Sequence, residues 1–559
     1  MLKNKLLQSL ALPPRELRFL LATLLILGIF FRFVNLDRKI YWFDETYTSM
    51  RASGFTETEL IQELSNTPVI GRENLQKYQR PSSEKSLLDT IKSLVTEDPQ
   101  HPPLYYLMAR FWMQKFGSSV AVMRSLPALI SLLAFPCIYW LCLELFDSSL
   151  TGWVAVALIA VSPLHVLYAQ ESREYSLWTV TILISCIALL RAMRIKTQAS
   201  WSIYALTLAA SLYTFLLSFL VAVGHGIYVF ASHKFRLNQN SFSYLMATAL
   251  GIVSFLPWIA VIIFNRVQVS SVTGWMGFLN IPFWELLKIW GINLTRIFVD
   301  FNYSLQDPVI SQVALAFIII FISTLVGYSF YFLYHNASQR MALFILTLIG
   351  SIVLPIALPD LVLGGVRSTT PRYFMPCYLG IQLSVAYLFA TKLTEITKKT
   401  SQQKLWQLVM ALIVSIGVLS CVISSQAATW WHQTLNRDTP TVAALINKAE
   451  TPALISDSYS ADILSLSYLL SSNVRLILKP RCYTSCNALY SINEKYKVVD
   501  KPYLPETPDG FTDIFLFKTA PSDAWKNELK ANKNYTIKST EKPGSEEFIS
   551  WLWKLEKRY

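Results

Sequence analysis

Charged side chains are scarce in this chain, and their scarcity is patterned. Only 15% of its 559 residues are Asp, Glu, Lys or Arg, against roughly a quarter in soluble proteins of ordinary composition. The deficit falls on long apolar runs whose interiors hold almost no carboxylates. Glu144 and Glu174 stand at run ends, and His225 is the main ionisable exception. That argues against a pump or an ion-coupled transporter, which needs ionisable groups or broken helices near the bilayer midplane. No glycine-rich phosphate loop occurs, so a nucleotide site is unsupported. Internal repeats and low-complexity tracts are also lacking, which leaves out repeat architectures and disordered arms.

Cysteines number seven. Cys137, Cys142, Cys186, Cys377 and Cys421 read as packing residues of apolar runs. Cys482 and Cys486, in "RCYTSCN", are the close pair in a polar region. CxxxC with no His or further Cys nearby is a poor zinc pattern. It reads better as a small disulfide loop facing an oxidising compartment.

Apolar residues make up 53% of the chain and the mean hydropathy is +0.38. Because these residues come in uninterrupted runs, the chain reads as a polytopic α-helical membrane protein. Spans are expected at 17–35, 122–146, 150–168, 174–191, 242–264, 309–334, 341–358, 372–391 and 405–424. Arg32 lies within the first, and no small-residue cleavage site is evident, so that run reads as a retained span. The basic segments around Lys3, Lys5, Arg15 and Arg18, with "RAMRIK", "HKFR", "SQR" and "KLTEITKKTSQQK", should all be cytoplasmic. They can be so only if 201–232 crosses twice and 101–117 does not cross. The latter would lie at the outer interface, with Arg110 snorkelling to water. The expectation is about eleven spans, a cytoplasmic N-terminus and an extracytoplasmic C-terminus, in a plasma (inner) membrane. The net charge of +13 then reflects the bias of inner loops and not nucleic-acid binding. Residues 1–424 form the membrane domain, with a long first outer loop at about 36–121. Residues 425–559 form a soluble outer domain, where "PALISDSYSADILSLSYLLSSNVRLIL" reads strand, helix, strand and predicts a small α/β fold.

On this topology the acids gather outside: Asp44 and Glu45 in "YWFDETYTSM", Glu171 and Glu174 in "YAQESREY". Arg173 shares their depth. Arg372, in "TTPRYF", sits at the mouth of a span whose first position suits Pro371. There, free N–H groups and the helix dipole favour an anion. Carboxylates facing an arginine-lined helix mouth point to chemistry on a phosphate-bearing lipid headgroup. The alternative is plain interfacial anchors and surface ion pairs. Asp44 and Glu45 are not a shared-proton dyad, since consecutive helical residues point about 100° apart. One should face the reaction while the other holds the loop. His101 reads either as a support for the interfacial helix or as a site or metal residue.

"FDE" just after the first span, then "HPPLYYL", then "YAQESREY" before the fourth, resembles the GT-C class of integral-membrane glycosyltransferases. The likeness is to the protein O-mannosyltransferase group that includes the lipid A aminoarabinose transferases. It covers about 15–232, with "PRY" near 371–376 adding little. The resemblance implies transfer of a sugar from a polyprenyl-phosphate donor to a hydroxyl acceptor (a lipid, a polysaccharide or a protein) at the outer membrane face. Asp44, with Glu45 beside it, would be catalytic. Glu171, Arg173 and Tyr175 would form the second-loop motif, and Arg372, Tyr373 and Arg173 would meet the donor phosphate. Asp44 would act as general base, improved by partial burial among Tyr41, Trp42 and Phe43, in one inverting displacement. The second outer loop departs from the oligosaccharyltransferase branch in having no DxD, so no cofactor is required, although a divalent metal is possible. Rival readings are a lipid-linked glycan polymerase or ligase, a non-enzymatic lipid-glycan transporter, and a sensor with a membrane anchor.

Overall fold

The computed structural model describes residues 15–67, 69–304, 307–394, 400–483, 510–517, 535–541 and 548–557. Lys3, Lys5 and Cys486 lie outside them, and so does the expected disulfide.

Every expected span falls on helix. Among the described residues, seven helices are long and apolar enough to cross a membrane, or eight if Ser149–Ala160 and Pro163–Ala169, bent by 62°, are one broken span. The chain is thus a multi-pass membrane protein. Arg15–Phe33 carries the first expected span, and 201–232 is divided between Gln198–Thr214 and Ser218–Ser232. Leu104–Phe116 has 13 residues, only about 20 Å of helix, against a hydrocarbon core of roughly 30 Å. Gly117, at φ 94°, ends it.

Arg110 on that helix does not snorkel, contrary to expectation. It is 2% exposed and donates to Ala52 O at 3.2 Å, to Thr90 Oγ1 at 3.1 Å and to the Lys85 carbonyl. It ties the first loop to the helix Leu104–Phe116, because loop carbonyls reach it before water does.

The break at Ala160–Pro163 frees carbonyls that lipid cannot satisfy. Arg32 takes them up, donating to Ala160 O at 2.7 Å, Ile159 O at 3.1 Å and Gly28 O at 2.8 Å. The first helix can come this close because Gly28 has no side chain. A Cβ there would stand 2.6 Å from Ala160 O. Gln170 then donates to Phe31 O and Val34 O, both at 2.8 Å. The two loops that follow these helices are thereby held side by side.

The C-terminal part folds as predicted, strand–helix–strand. β1 (Pro452–Ser456) and β2 (Arg475–Leu478) are parallel around the helix Ser460–Ser467. β3 (Asp513–Phe517), β4 (Tyr535–Glu541) and β5 (Phe548–Lys557) complete a sheet of order β2-β1-β3-β5-β4, with β3–β5 and β5–β4 antiparallel. Ala453, Ile455, Ile477, Ile514, Leu516, Trp553 and Leu555 form a small core of the unit's own, but its larger core is shared. Phe43, Tyr47, Leu60 and Leu75 of the first loop share a buried cluster with Leu454, Leu464 and Phe515. Ile70 also pairs with Leu476 at the sheet edge.

Leu464, fully buried in the shared cluster, tests this union. Leu464→Ala should cost about 2–5 kcal/mol. Limited proteolysis should find the first loop and the C-terminal unit loosening together. Loosening of the C-terminal unit alone would mean that the shared core holds nothing.

Candidate active site

The two adjacent acids occupy the first turn of the helix Phe43–Ala52, where the dipole favours negative charge. Glu45 turns inward and is fully buried. Its Oε1 accepts from Arg124 Nε at 2.7 Å and from the Ser172 backbone N–H at 2.8 Å. Its Oε2 accepts from Arg124 Nη2 at 2.5 Å and from the Trp42 N–H at 3.3 Å. Grouped with Asp44 as a catalytic candidate, Glu45 stands apart from the cavity and anchors the loop. Asp44 points the other way, into a cavity of about 830 Å³. Its Oδ2 accepts from Arg372 Nη1 at 2.7 Å, and both side chains are 20% exposed.

The loop 170–174 runs behind this pair. Arg173 donates to Thr48 Oγ1 at 2.9 Å and to the Asp44 carbonyl at 3.4 Å. It also lies 3.4 Å from Glu174 Oε1, and His101 Nδ1 stands 3.2 Å from the same oxygen. Burial works to raise the Glu174 carboxyl, but Arg173 and His101 outweigh it and hold it near about 2. His101 therefore braces the loop while also lining the cavity. Tyr175 and Tyr373 line it too, each with the Arg372 guanidinium over its ring, at 5.7 and 5.8 Å. Glu171 differs from the rest. It is buried away from the cavity wall, neither carboxylate oxygen has a hydrogen-bond partner, and His432 Nε2 is 3.8 Å off. Burial first, then the Glu45 charge, push it up to about 8, against Arg372.

Arginines dominate the cavity's charge. Arg173, Arg296 and Arg372 are all on its wall, and the Nε of each is buried with no hydrogen-bond partner. Buried donors in native structures are rarely left so, and three guanidinium groups on one wall offer unspent donors suited to an anion. Arg296 and Arg124 were not foreseen from the sequence. Arg296 caps the C-terminus of the helix Phe283–Thr295. Its guanidinium lies 3.5 Å from the Trp431 ring centroid, and burial holds it below its usual pKa. The signal for both was an arginine next to or inside an apolar run, "NLTRIF" and "AVMRSL". Arg367 and Arg437 also reach the wall, Arg367 paired with Asp360 at 2.8 Å. Among the described residues, no group of three or more His, Cys, Asp or Glu side chains is placed to hold a metal ion.

Residues 100–260 match the family model described as dolichyl-phosphate-mannose-protein mannosyltransferase. The fold is that of the GT-C class. ArnT from Cupriavidus metallidurans, in complex with undecaprenyl phosphate, superposes with a TM-score of 0.51 at 10% identity, covering 97% of this chain and 98% of that one. Its apo state gives 0.51 at 11% identity, covering 96% and 97%. The Archaeoglobus fulgidus oligosaccharyltransferase tethered to an acceptor peptide gives 0.47 at 13% identity. That match covers 82% of this chain, which spans 63% of the archaeal one. In sequence, no curated protein matches the chain.

Glu171 yields a signed pH prediction. Its folded value of about 8 exceeds the ordinary 4.5, so the folded protein binds more protons between those limits. Stability is then lost as pH rises through that window. Glu171→Gln removes the titration. The melting temperature of the variant minus that of the wild type should climb from about pH 4.5 and level off above about 8. A pH-independent difference would mean that Glu171 is charged throughout.

Proposed function

We propose that this chain is a glycosyltransferase that moves a sugar from a polyprenyl-phosphate donor to a hydroxyl acceptor at the outer face of the membrane. The N-terminus would be cytoplasmic and the C-terminal unit (425–559) extracytoplasmic. The observation that carries this reading is the trio of unpartnered Nε groups of Arg173, Arg296 and Arg372 beside Asp44. A lipid-linked phosphate supplies the acceptors these donors lack.

The chemistry follows from the geometry. Asp44 Oδ2 is engaged by Arg372, and Oδ1 has no hydrogen-bond partner among the described residues. Oδ1 takes the proton from the acceptor hydroxyl as its oxygen attacks the anomeric carbon. The bond from that carbon to the phosphate oxygen breaks, and its electron pair stays on the phosphate, which leaves with one more negative charge. Arg372 keeps Nε and its second terminal nitrogen for that charge, and Arg173 and Arg296 add to it. Groups positioned in this way are each worth roughly 3–4 kcal/mol of barrier. A single displacement inverts the anomeric centre, so no covalent sugar–enzyme intermediate forms. Glu45 holds Asp44 in place through Arg124.

Two substitutions test the assignment, read by single-turnover transfer with donor affinity measured separately. Asp44→Asn should lower the rate by ~10²–10⁴-fold. Donor affinity should hold or rise, because the carboxylate competes with phosphate for Arg372. Wild-type transfer in Asp44→Asn would remove Asp44 as the base. Arg372→Ala should weaken donor binding by at least about tenfold, with Arg372→Lys recovering only part of it, since an ammonium lacks the planar fork. Full donor binding in Arg372→Ala would take the phosphate elsewhere.

A further inference from the structure

From β1 onward, Tyr483 is the described residue that reaches the cavity wall; Trp431, His432, Thr434, Leu435 and Arg437 line it from the segment before the sheet. After β2 the chain leaves the sheet, with Arg481 bridged to Tyr459, and runs toward the helix that carries Asp44. There Glu57, a fully buried carboxylate of the first loop, gathers four donors on two oxygens. Oε1 accepts from Tyr47 OH at 2.8 Å, Ser460 Oγ at 2.6 Å and the Tyr483 backbone N–H at 3.0 Å. Oε2 accepts from Cys482 Sγ at 3.7 Å. The latch joins the first loop, the Ser460–Ser467 helix and the 481–483 segment, and it sets the Tyr483 ring on the cavity wall.

That ring is gripped but not covered. Phe43, Tyr459 and Tyr47 pack against it at centroid distances of 5.2, 5.5 and 6.1 Å. It nevertheless keeps 36% exposure, while Phe43 beneath it keeps 5%. A ring serving only the shared core would be as closed as Phe43. The other rings around Asp44 and Arg372 are engaged: Trp42, Tyr175 and Tyr373 each carry the Arg372 guanidinium within 6 Å. Burial and the nearby Asp44 and Asp98 charges push the Tyr483 phenol up to about 12, so near neutral pH it is a donor.

Resting on the glycosyltransferase reading, we propose that Tyr483 is the sugar-recognition platform of this site. Its ring would stack on the C–H face of the transferred sugar and its phenol O–H would donate to a sugar hydroxyl, with Glu57 as the residue that positions it. An anomeric carbon held between the phosphate at Arg372 and the base at Asp44 leaves the rest of the sugar ring to lie along a wall. Tyr483 is the open aromatic wall next to Asp44, seated on Phe43, the residue that precedes it. The C-terminal unit then selects the sugar, and the membrane bundle holds the lipid phosphate.

The test uses the full chain in lipid nanodiscs. Binding is measured for undecaprenyl phosphate and for its mannosyl- and glucosyl-linked forms. The wild type should bind at least one sugar-linked lipid more tightly than the bare one. Tyr483→Ala should erase about tenfold of that increment and leave bare undecaprenyl phosphate binding unchanged. Tyr483→Phe should retain most of the increment, and Glu57→Gln, which weakens the latch, should lose part of it. The inference is overturned if the wild type shows no increment with either sugar, if Tyr483→Ala keeps the increment whole, or if it loses bare-lipid binding equally. A wild type that binds none of the three lipids defeats the glycosyltransferase reading as well, which separates the two failures.

Discussion

The architecture of the site depends on the buried pair of Glu45 and Arg124. Every N–H of the Arg124 guanidinium is used. Two bonds go to the carboxylate and the others to the carbonyls of Leu36, Lys39 and Ile40. Glu45 in turn holds the Ser172 N–H. The pair thus fastens the end of the first span, the start of the helix Phe43–Ala52, the second span and the loop around Ser172 at a single point. A buried ion pair need not stabilise a protein relative to apolar packing, but leaving either partner alone is costly. The value of this pair lies in fixing geometry. With Glu45 locked, the neighbouring residue has one direction left, about 100° around the helix, and Asp44 therefore faces the cavity.

The remaining charges follow a similar logic, with a deliberate remainder. Arg51 is closed by Glu97 and Asp98, Arg173 by Glu174, and Arg367 by Asp360. Arg372 has Asp44, and Arg296 lies on the face of Trp431. What is left over is donor capacity, in the Nε groups of three guanidiniums on one wall. In a low-dielectric pocket such donors carry a desolvation cost until an acceptor meets them. Burial and the neighbouring Glu45 charge push the Glu171 carboxyl up to about 8, which works against a further negative charge beside Asp44.

The first loop and the C-terminal unit pack together around a shared core. Their common core and the Glu57 latch mean that the first loop is shaped by residues more than four hundred positions later. This explains how a long polar loop of short helices becomes ordered. Helices such as Glu57–Asn66 and Leu87–Glu97, at 10 and 11 residues, are too short to be stable alone. They hold because tertiary contacts bury one face of each.

Local pattern determined the membrane bundle. Apolar runs of bilayer length and the alternation of the C-terminal segment each carry their own physics, so the long helices and the strand–helix–strand motif could be read directly. The division of labour between Asp44 and Glu45 was legible from helical geometry, though which acid faced the cavity was not. Only the tertiary structure could decide that, because it depends on where Arg124, 79 residues away in sequence, places its guanidinium. For the same reason Arg296, Trp431 and Tyr483 escaped notice, and Arg110 was expected at water when it is buried in the loop. Hydropathy reports how much water a segment avoids. It says nothing of which distant carbonyl, ring or phosphate will satisfy a charge, and in this protein that choice makes the site.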